Sequence, residues 1–87
     1  MALAVLRGAE TPAAQGPDAA RFAATFGLTA RQGEVLAFLA RGYPNKTIAE
    51  RLGIAEGTVE EHVAALFRKV GVDSRTALVA KYWLGPR

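Results

Sequence analysis

The sequence predicts an all-α fold, a four-helix bundle of helix-turn-helix type behind a flexible N-terminal segment. Two observations support this prediction. Apolar residues recur at three- and four-residue steps after residue 18, the period of an amphipathic helix, and no stretch carries a strand signal. Residues 45–71 also have the pattern of a short helix, a tight turn and a longer second helix.

Length and composition limit the chain to one small domain. Its 87 residues are 51% hydrophobic, which is enough for one modest core. The chain has no cysteine and a single histidine, His62, so it offers neither a disulfide framework nor a ligand cluster, and we expect no cofactor and no metal. Its opening apolar run is too short for a signal peptide or a membrane span, so we expect a cytoplasmic protein that does not enter a membrane.

The N-terminal residues differ in character from the rest of the chain. Residues 1–17 contain Pro12, Gly16 and Pro17 and lack a sustained amphipathic period. We therefore interpret them as a linker or disordered segment, with the folded domain at 18–87.

A short amphipathic helix follows this segment. Asp18 is placed to cap it, and Phe22 and Phe26 lie on one face of it. These aromatic residues either dock an upstream domain or lean on the core that follows, and we prefer the second interpretation.

The first core helix has a capping-box signal at its start. Thr29 is followed three residues later by Gln32, and Leu28 occupies the staple position. The helix is predicted to run to Arg41, and Gly42 supplies its stop.

Residues 45–71 contain the predicted helix-turn-helix. The first helix starts near Asn45 and ends at Gly53, and Ile54 is the apolar residue of the turn. The second helix runs from about Glu56 to Gly71, and its apolar stripe comprises Val59, Val63, Leu66, Phe67 and Val70. Mostly small residues form its opposite face, which suits insertion into a groove: Gly57, Thr58, Glu61, Ala64, Ala65 and Arg68.

The last helix begins after Asp73 or Ser74, either of which is suited to cap it, and closes at Gly85. Its first residue, Arg75, is predicted to pair with Glu34 and so to tie the first and last core helices.

The apolar residues of the last helix have two interpretations, a dimer seam and completion of the core. If the domain forms a homodimer, we expect the seam to lie around Leu78, Val79 and Tyr82. An interface of this size predicts a monomer or a weak dimer.

Residues 28–80 resemble the DNA-binding domain of the LuxR family of bacterial transcription regulators, also called the GerE or FixJ type. The promoter-reading region of sigma factors shares the opening and the turn, but Thr58-Val59 with His62, followed by Lys69, Gly71-Val72 and Ser74-Arg75, favours the LuxR type. The other matching elements are Leu28-Thr29 with Arg31, Glu34-Val35-Leu36, Gly42, Asn45-Lys46, Ile48-Ala49 and Leu52.

This resemblance implies an output domain, as in response regulators and quorum-sensing proteins, that controls transcription without chemistry. It implies that the third core helix, about Glu56 to Val70, lies in the major groove, commonly within a dimer on a two-fold symmetric site. The upstream part of such regulators is a receiver, ligand-sensing or ATPase domain. By residue, the resemblance assigns phosphate contacts to Asn45, Lys46 and Thr58, groove contacts to Glu60, Glu61 and Ala64, and flanking backbone contacts to Arg68 and Lys69.

The acidic start of the third core helix departs from the family pattern. Relatives often carry Lys or Arg after Thr58-Val59, whereas this chain has Glu60 and Glu61 behind Glu56. Carboxylates near phosphates add repulsion and forfeit contacts that release counterions. A glutamate can also accept a hydrogen bond from cytosine N4, which we consider for Glu61. Ala55 stands where the family usually has a capping serine, so the Glu56 carboxylate can instead stabilise the positive N-terminal end of the helix dipole.

Two function classes therefore remain open. The leading one is sequence-specific binding of double-stranded DNA, consistent with a net charge of +3 that arises entirely after residue 27. The other is a protein-interaction module whose acidic helix meets a basic surface, such as RNA polymerase or an anti-regulator. We do not expect an enzyme, because the sequence has no Gly-rich phosphate loop, no cysteine and no paired-carboxylate site.

Overall fold

Five α-helices account for the regular structure of residues 19–85, the part of the chain that the computed structural model describes. They are α1 (Ala19–Phe26), α2 (Ala30–Ala40), α3 (Asn45–Leu52), α4 (Glu56–Val70) and α5 (Arg75–Leu84). The all-α class and the helix-turn-helix order are confirmed. The predicted flexible segment 1–17 and the capping Asp18 lie outside the described residues.

The starts of α2 and α5 follow the predicted capping chemistry. Thr29 and Gln32 form the complete capping box, since the Thr29 hydroxyl accepts from the Gln32 N–H at 3.1 Å and Gln32 Oε1 accepts from the Thr29 N–H at 3.0 Å. At α5 the cap is Ser74, whose hydroxyl accepts from the Ala77 N–H at 3.1 Å.

The turn between α3 and α4 depends on a left-handed glycine. Gly53 has φ 68°, a conformation that strains residues with a Cβ atom. The Ile54 N–H then reaches back to the Ala49 carbonyl at 3.0 Å, which completes a Schellman closure with an apolar residue after the glycine. This closure turns the chain within three residues, so that α4 packs beside α3.

Helix α4 is the centre of the domain, in contact with α2, α3 and α5. Its predicted apolar stripe faces these helices, and only Phe67 of the five stripe residues remains partly exposed. The largest fully buried side chains come from all five helices: Phe22, Leu36, Ile48, Leu66, Leu78, Val35 and Val59.

Helix α1 is part of this core. The Phe22 side chain is 1% exposed, and its ring centroid lies 4.7 Å from that of Phe26 and 5.3 Å from that of Tyr82, edge-on. The interpretation that these aromatic residues lean on the core is therefore the one the structure supports, as edge contacts of this kind add to apolar burial.

The predicted seam on α5 requires a correction. Leu78 is fully buried and Tyr82 is 3% exposed, so both complete the core of the monomer and have no surface left for a second copy. The Tyr82 hydroxyl has no hydrogen-bond partner within the described residues, and burial raises the pKa of this phenol. Of the three predicted seam residues, only Val79 is partly exposed.

The predicted ion pair between Glu34 and Arg75 is wrong. Glu34 instead forms an ion pair with Arg31, one turn earlier on α2, and the Arg31 Nη1 atom lies 3.3 Å from Glu34 Oε1. Arg75 instead donates to the Asn45 Oδ1 atom and the Tyr43 carbonyl, at 2.9 and 2.7 Å. Its two hydrogen bonds hold the Arg75 guanidinium at the start of α3 rather than at Glu34.

None of the helices within residues 19–85 combines the length and the apolar character needed to cross a bilayer.

Candidate nucleic-acid interface

The outward side of α4 is a surface of small and polar residues. Gly57, Ala64 and Arg68 are exposed, and Thr58 and Ala65 are half-buried. The apolar stripe on the opposite side of α4 is buried in the core. Its burial sets the rotation of the helix, so that the small residues face outward. A helix backbone with such a face can approach the floor of a major groove, which is wide enough to admit an α-helix.

Helices α3 and α4 start without side-chain caps, unlike α2 and α5. Their N-cap residues are Pro44 and Ala55, and neither makes a capping hydrogen bond. The first-turn amides of α3, and those of Glu56 and Gly57 on α4, therefore have no side-chain acceptor, whereas the Thr58 N–H donates to the Ala55 carbonyl at 3.0 Å. The positive end of each helix dipole adds to the attraction of the free amides for anions. Phosphate oxygens are acceptors of the right charge and geometry.

The first turn of α3 adds a positive charge and an amide to this surface. Lys46 is exposed, and its side chain makes no hydrogen bond or ion pair with any of residues 19–85. Asn45 is half-buried, and its Oδ1 atom accepts from Arg75 Nη1 at 2.9 Å. Asn45 and Lys46, two of the three predicted phosphate residues, thus lie side by side next to uncapped amides.

The negative charge predicted for the start of α4 lies on the surface. Glu56, Glu60 and Glu61 are all exposed, and none forms an ion pair within the described part of the chain. Arg68 is the exposed base toward the other end of the same helix. Helix α4 is therefore acidic toward its N-terminal end and basic toward its C-terminal end.

Lys69, predicted to contact the DNA backbone, has partners inside the domain. Its Nζ atom donates to the Gly27 carbonyl at 2.9 Å and to Gln32 Oε1 at 2.8 Å. It thereby fastens the end of α4 to the junction of α1 and α2, because Gln32 is the capping-box residue of α2. Lys69 is exposed, but these two contacts engage its ammonium within the domain, and they argue against the predicted role.

Sequence reasoning missed two basic residues beside this surface. Arg75 reaches the start of α3 from a position 30 residues away, and no local pattern signals a contact of that kind. The Arg51 guanidinium lies 5.2 Å from the centroid of the Tyr43 ring, a cation–π arrangement that places a further positive charge on α3.

Comparisons with known proteins point to one family. The family model described as "Bacterial regulatory proteins, luxR family" matches residues 27–82. The chain is 49% identical over 53 residues to the "probable transcriptional regulatory protein SgaR" of Hyphomicrobium methylovorum, which covers 61% of this chain and 25% of that protein.

Two further relatives have the same character. The transcriptional regulatory protein LnrK of Bacillus subtilis is 53% identical over 49 residues, covering 56% of this chain and 22% of LnrK. The nitrate/nitrite response regulator NarL of Escherichia coli is 46% identical over 48 residues, covering 55% of this chain and 22% of NarL. The matches thus cover about a quarter of the length of these relatives. No solved structure matches the chain significantly.

Proposed function

This chain belongs to the luxR family of bacterial regulatory proteins and carries the DNA-binding domain of a LuxR-type transcriptional regulator, and from that premise we propose that α4 lies in the major groove of double-stranded DNA. In this proposal the domain recognises a specific sequence in the bacterial cytoplasm and acts without chemistry, under an upstream sensor domain. Asn45, Lys46 and Thr58 contact phosphates, Glu60, Glu61 and Ala64 face the groove, and Arg68 meets the flanking backbone.

One observation carries the proposal. The small-residue face of α4, the uncapped first turns of α3 and α4, and the unpartnered Lys46 are all exposed parts of one helix-turn-helix unit. The small residues permit close approach to a groove, the free amides and Lys46 suit a polyanion, and the packing of α3 against α4 holds these features together. Lys69 is left out of the contact set because its ammonium is held by Gly27 and Gln32.

Removal of the Lys46 charge tests the proposal. We expect Lys46→Ala to weaken binding to a random-sequence duplex and to a selected site by a similar factor, because a phosphate contact carries no sequence information. We also expect it to reduce the slope of log affinity against log salt by about one unit. Fluorescence anisotropy titrations over a range of salt concentrations measure both quantities, and selection from a random duplex library supplies the preferred site.

The matched control is Arg31→Ala, which removes one exposed positive charge from α2, where Arg31 pairs with its own helix neighbour Glu34. Its effect should be much smaller than that of Lys46→Ala. Equal effects of the two changes would show that only net charge matters, and absence of DNA binding at low salt would reject the proposal.

The acidic residues of α4 give a second, contrasting prediction. Glu60→Lys should raise affinity for all sequences by a similar factor and steepen the salt slope by about one unit, as a new phosphate contact does. Glu61→Gln should instead change preference at one base pair, by about 1 to 3 kcal/mol if Glu61 accepts from a cytosine. Titration of each variant against the selected site and its single-base variants separates the two effects.

Glu34→Lys provides the control for charge reversal, because the Glu34 side chain is 46% exposed and lies on α2. Sequence preference that is unchanged in Glu61→Gln would remove Glu61 from the set of base readers. If neither glutamate variant alters binding and Lys46→Ala is silent too, α4 does not meet DNA.

The three exposed carboxylates of α4 favour a second candidate function. Glu56, Glu60 and Glu61 have no basic partner within residues 19–85, so they are available to a basic protein surface, such as one on RNA polymerase or an anti-regulator. Under this alternative, Glu60→Lys would weaken capture of the protein partner, whereas it strengthens DNA binding under the leading proposal.

We also propose a weak homodimer through α5, with its seam moved from the predicted position. Leu78 and Tyr82 are in the core, so the seam is assigned to the exposed arc of the helix around Val79, Trp83 and Leu84. Trp83 and Leu84 are 50% and 65% exposed, and beside them Ala77, Ala80, Lys81, Leu84 and Gly85 line an open groove of about 380 Å³.

A further inference from the structure

We propose that Arg75 is a positioning residue for DNA binding, which orients the Asn45 side chain so that its amide group faces a phosphate. This inference rests on the proposed function, since it concerns how the phosphate contact at the start of α3 is prepared. Under this inference α5 contributes to DNA binding indirectly, because its first residue orients a side chain of α3.

Two hydrogen bonds hold the Arg75 guanidinium against the start of α3. The Nη1 atom donates to Asn45 Oδ1 at 2.9 Å, and the Nη2 atom donates to the Tyr43 carbonyl at 2.7 Å. These acceptors lie on either side of Pro44, the residue that precedes the first turn of α3. A planar guanidinium holds its donors in a rigid fork, so the two bonds together fix both the chain before α3 and the Asn45 side chain.

The chemistry of this contact determines which way the Asn45 amide points. A guanidinium has only donors, so it can meet the oxygen of the amide and never its nitrogen. With Oδ1 bound to Arg75, Nδ2 is left without a hydrogen-bond partner among residues 19–85. It is therefore a free donor in the same first turn as the uncapped amides and Lys46.

Preorganisation gives this arrangement a functional consequence. A free asparagine side chain loses rotamer freedom when it binds a phosphate, and it can also present its oxygen, which an anion repels. A side chain already fixed with its nitrogen outward avoids both penalties. Arg75 is half-buried and engaged with two acceptors, so we assign it this indirect role rather than a phosphate contact of its own.

A double-mutant cycle separates the indirect role from the others. We expect Arg75→Met to weaken binding of a random-sequence duplex by about tenfold, the effect of one hydrogen bond to a charged group. In the Asn45→Ala background, the same change should alter affinity by less than about twofold, because the side chain that Arg75 orients is gone. The salt slope should stay the same in Arg75→Met and in the wild-type chain, since no phosphate contact of Arg75 is lost.

Two further variants serve as controls. Arg31→Met removes the same charge from an exposed pair on α2 and should leave affinity nearly unchanged. Arg75→Lys keeps the charge without the fork and should still bind DNA more weakly than the wild-type chain. It also keeps the test valid if the methionine variant fails to fold, which thermal unfolding reveals. The Asn45 side-chain amide signal in NMR spectra reports whether that side chain stays ordered.

The outcomes distinguish this inference from the function on which it rests. Equal losses from Arg75→Met in both backgrounds, or full affinity in Arg75→Lys, would overturn the positioning role while DNA binding stands. A wild-type chain that fails to bind the random duplex at low salt would overturn both. A loss confined to the background that retains Asn45, with a more mobile Asn45 amide, supports the inference.

Discussion

Replacement of Phe22 with alanine is expected to lower the free energy of unfolding by about 3 to 5 kcal/mol. Phe22 lies before the family match at residues 27–82, yet its side chain is 1% exposed and packs on Phe26 and Tyr82. The change removes the ring from a closed site and leaves a cavity beside α5. For a small domain with a total stability of about 5 to 15 kcal/mol, this is a large fraction.

Urea unfolding followed by circular dichroism measures this loss. Thr25→Ala is the matched control, because Thr25 is exposed on the same helix and its hydroxyl bonds only to the Arg21 carbonyl. It should change stability by no more than about 0.5 kcal/mol. A loss below about 1 kcal/mol in Phe22→Ala would make α1 an appendage and would reject our proposal that the folded domain begins near residue 18 rather than at the start of the family match.

Replacement of Leu78 with aspartate is expected to unfold the domain, whereas Val79→Asp should leave it folded. Leu78 is fully buried, so the variant places a carboxyl group in the core without a partner and loses the leucine packing. The combined effect should reach at least about 4 kcal/mol. Val79 is partly exposed, so its replacement leaves the new carboxylate in contact with water and should weaken only the proposed seam.

Thermal unfolding and sedimentation velocity at micromolar concentration test both halves of this prediction. The Leu78 variant should lack a cooperative unfolding transition, and Val79→Asp should retain one while shifting any dimer toward monomer. A folded Leu78→Asp would contradict the assignment of this residue to the core. A tight dimer that survives Val79→Asp combined with Leu84→Asp would place the seam on another part of the surface.

Local signals in the sequence were sufficient to predict the helices and most of their ends. The capping box of Thr29 and Gln32, the glycine stop at Gly53 and the apolar stripe of α4 all behave as predicted. These signals are local because a cap involves residues three apart and an amphipathic stripe is read within one helix. The outward position of the α4 face that we assign to the groove follows from the same stripe, once the stripe is buried.

The rotation of α5 could not be predicted in this way. Apolar residues lie on almost every side of this helix, from Ala77 to Leu84, so its periodicity does not select a buried face. Contacts with α2, α4 and Phe22 make the selection, and they bury Leu78 and Tyr82 while Trp83 and Leu84 stay exposed.

By itself, the sequence determined the helix-turn-helix order, the helix ends and the family of this protein, because each depends on residues close together in the chain. Only the tertiary structure decided the partners of the long basic side chains. Arg75 bonds to a residue 30 positions away, and Lys69 bonds to residues 37 and 42 positions away. Long flexible side chains bond to whichever acceptors the packing of the helices brings within reach. The spacing of residues along one helix does not reveal which acceptors these are.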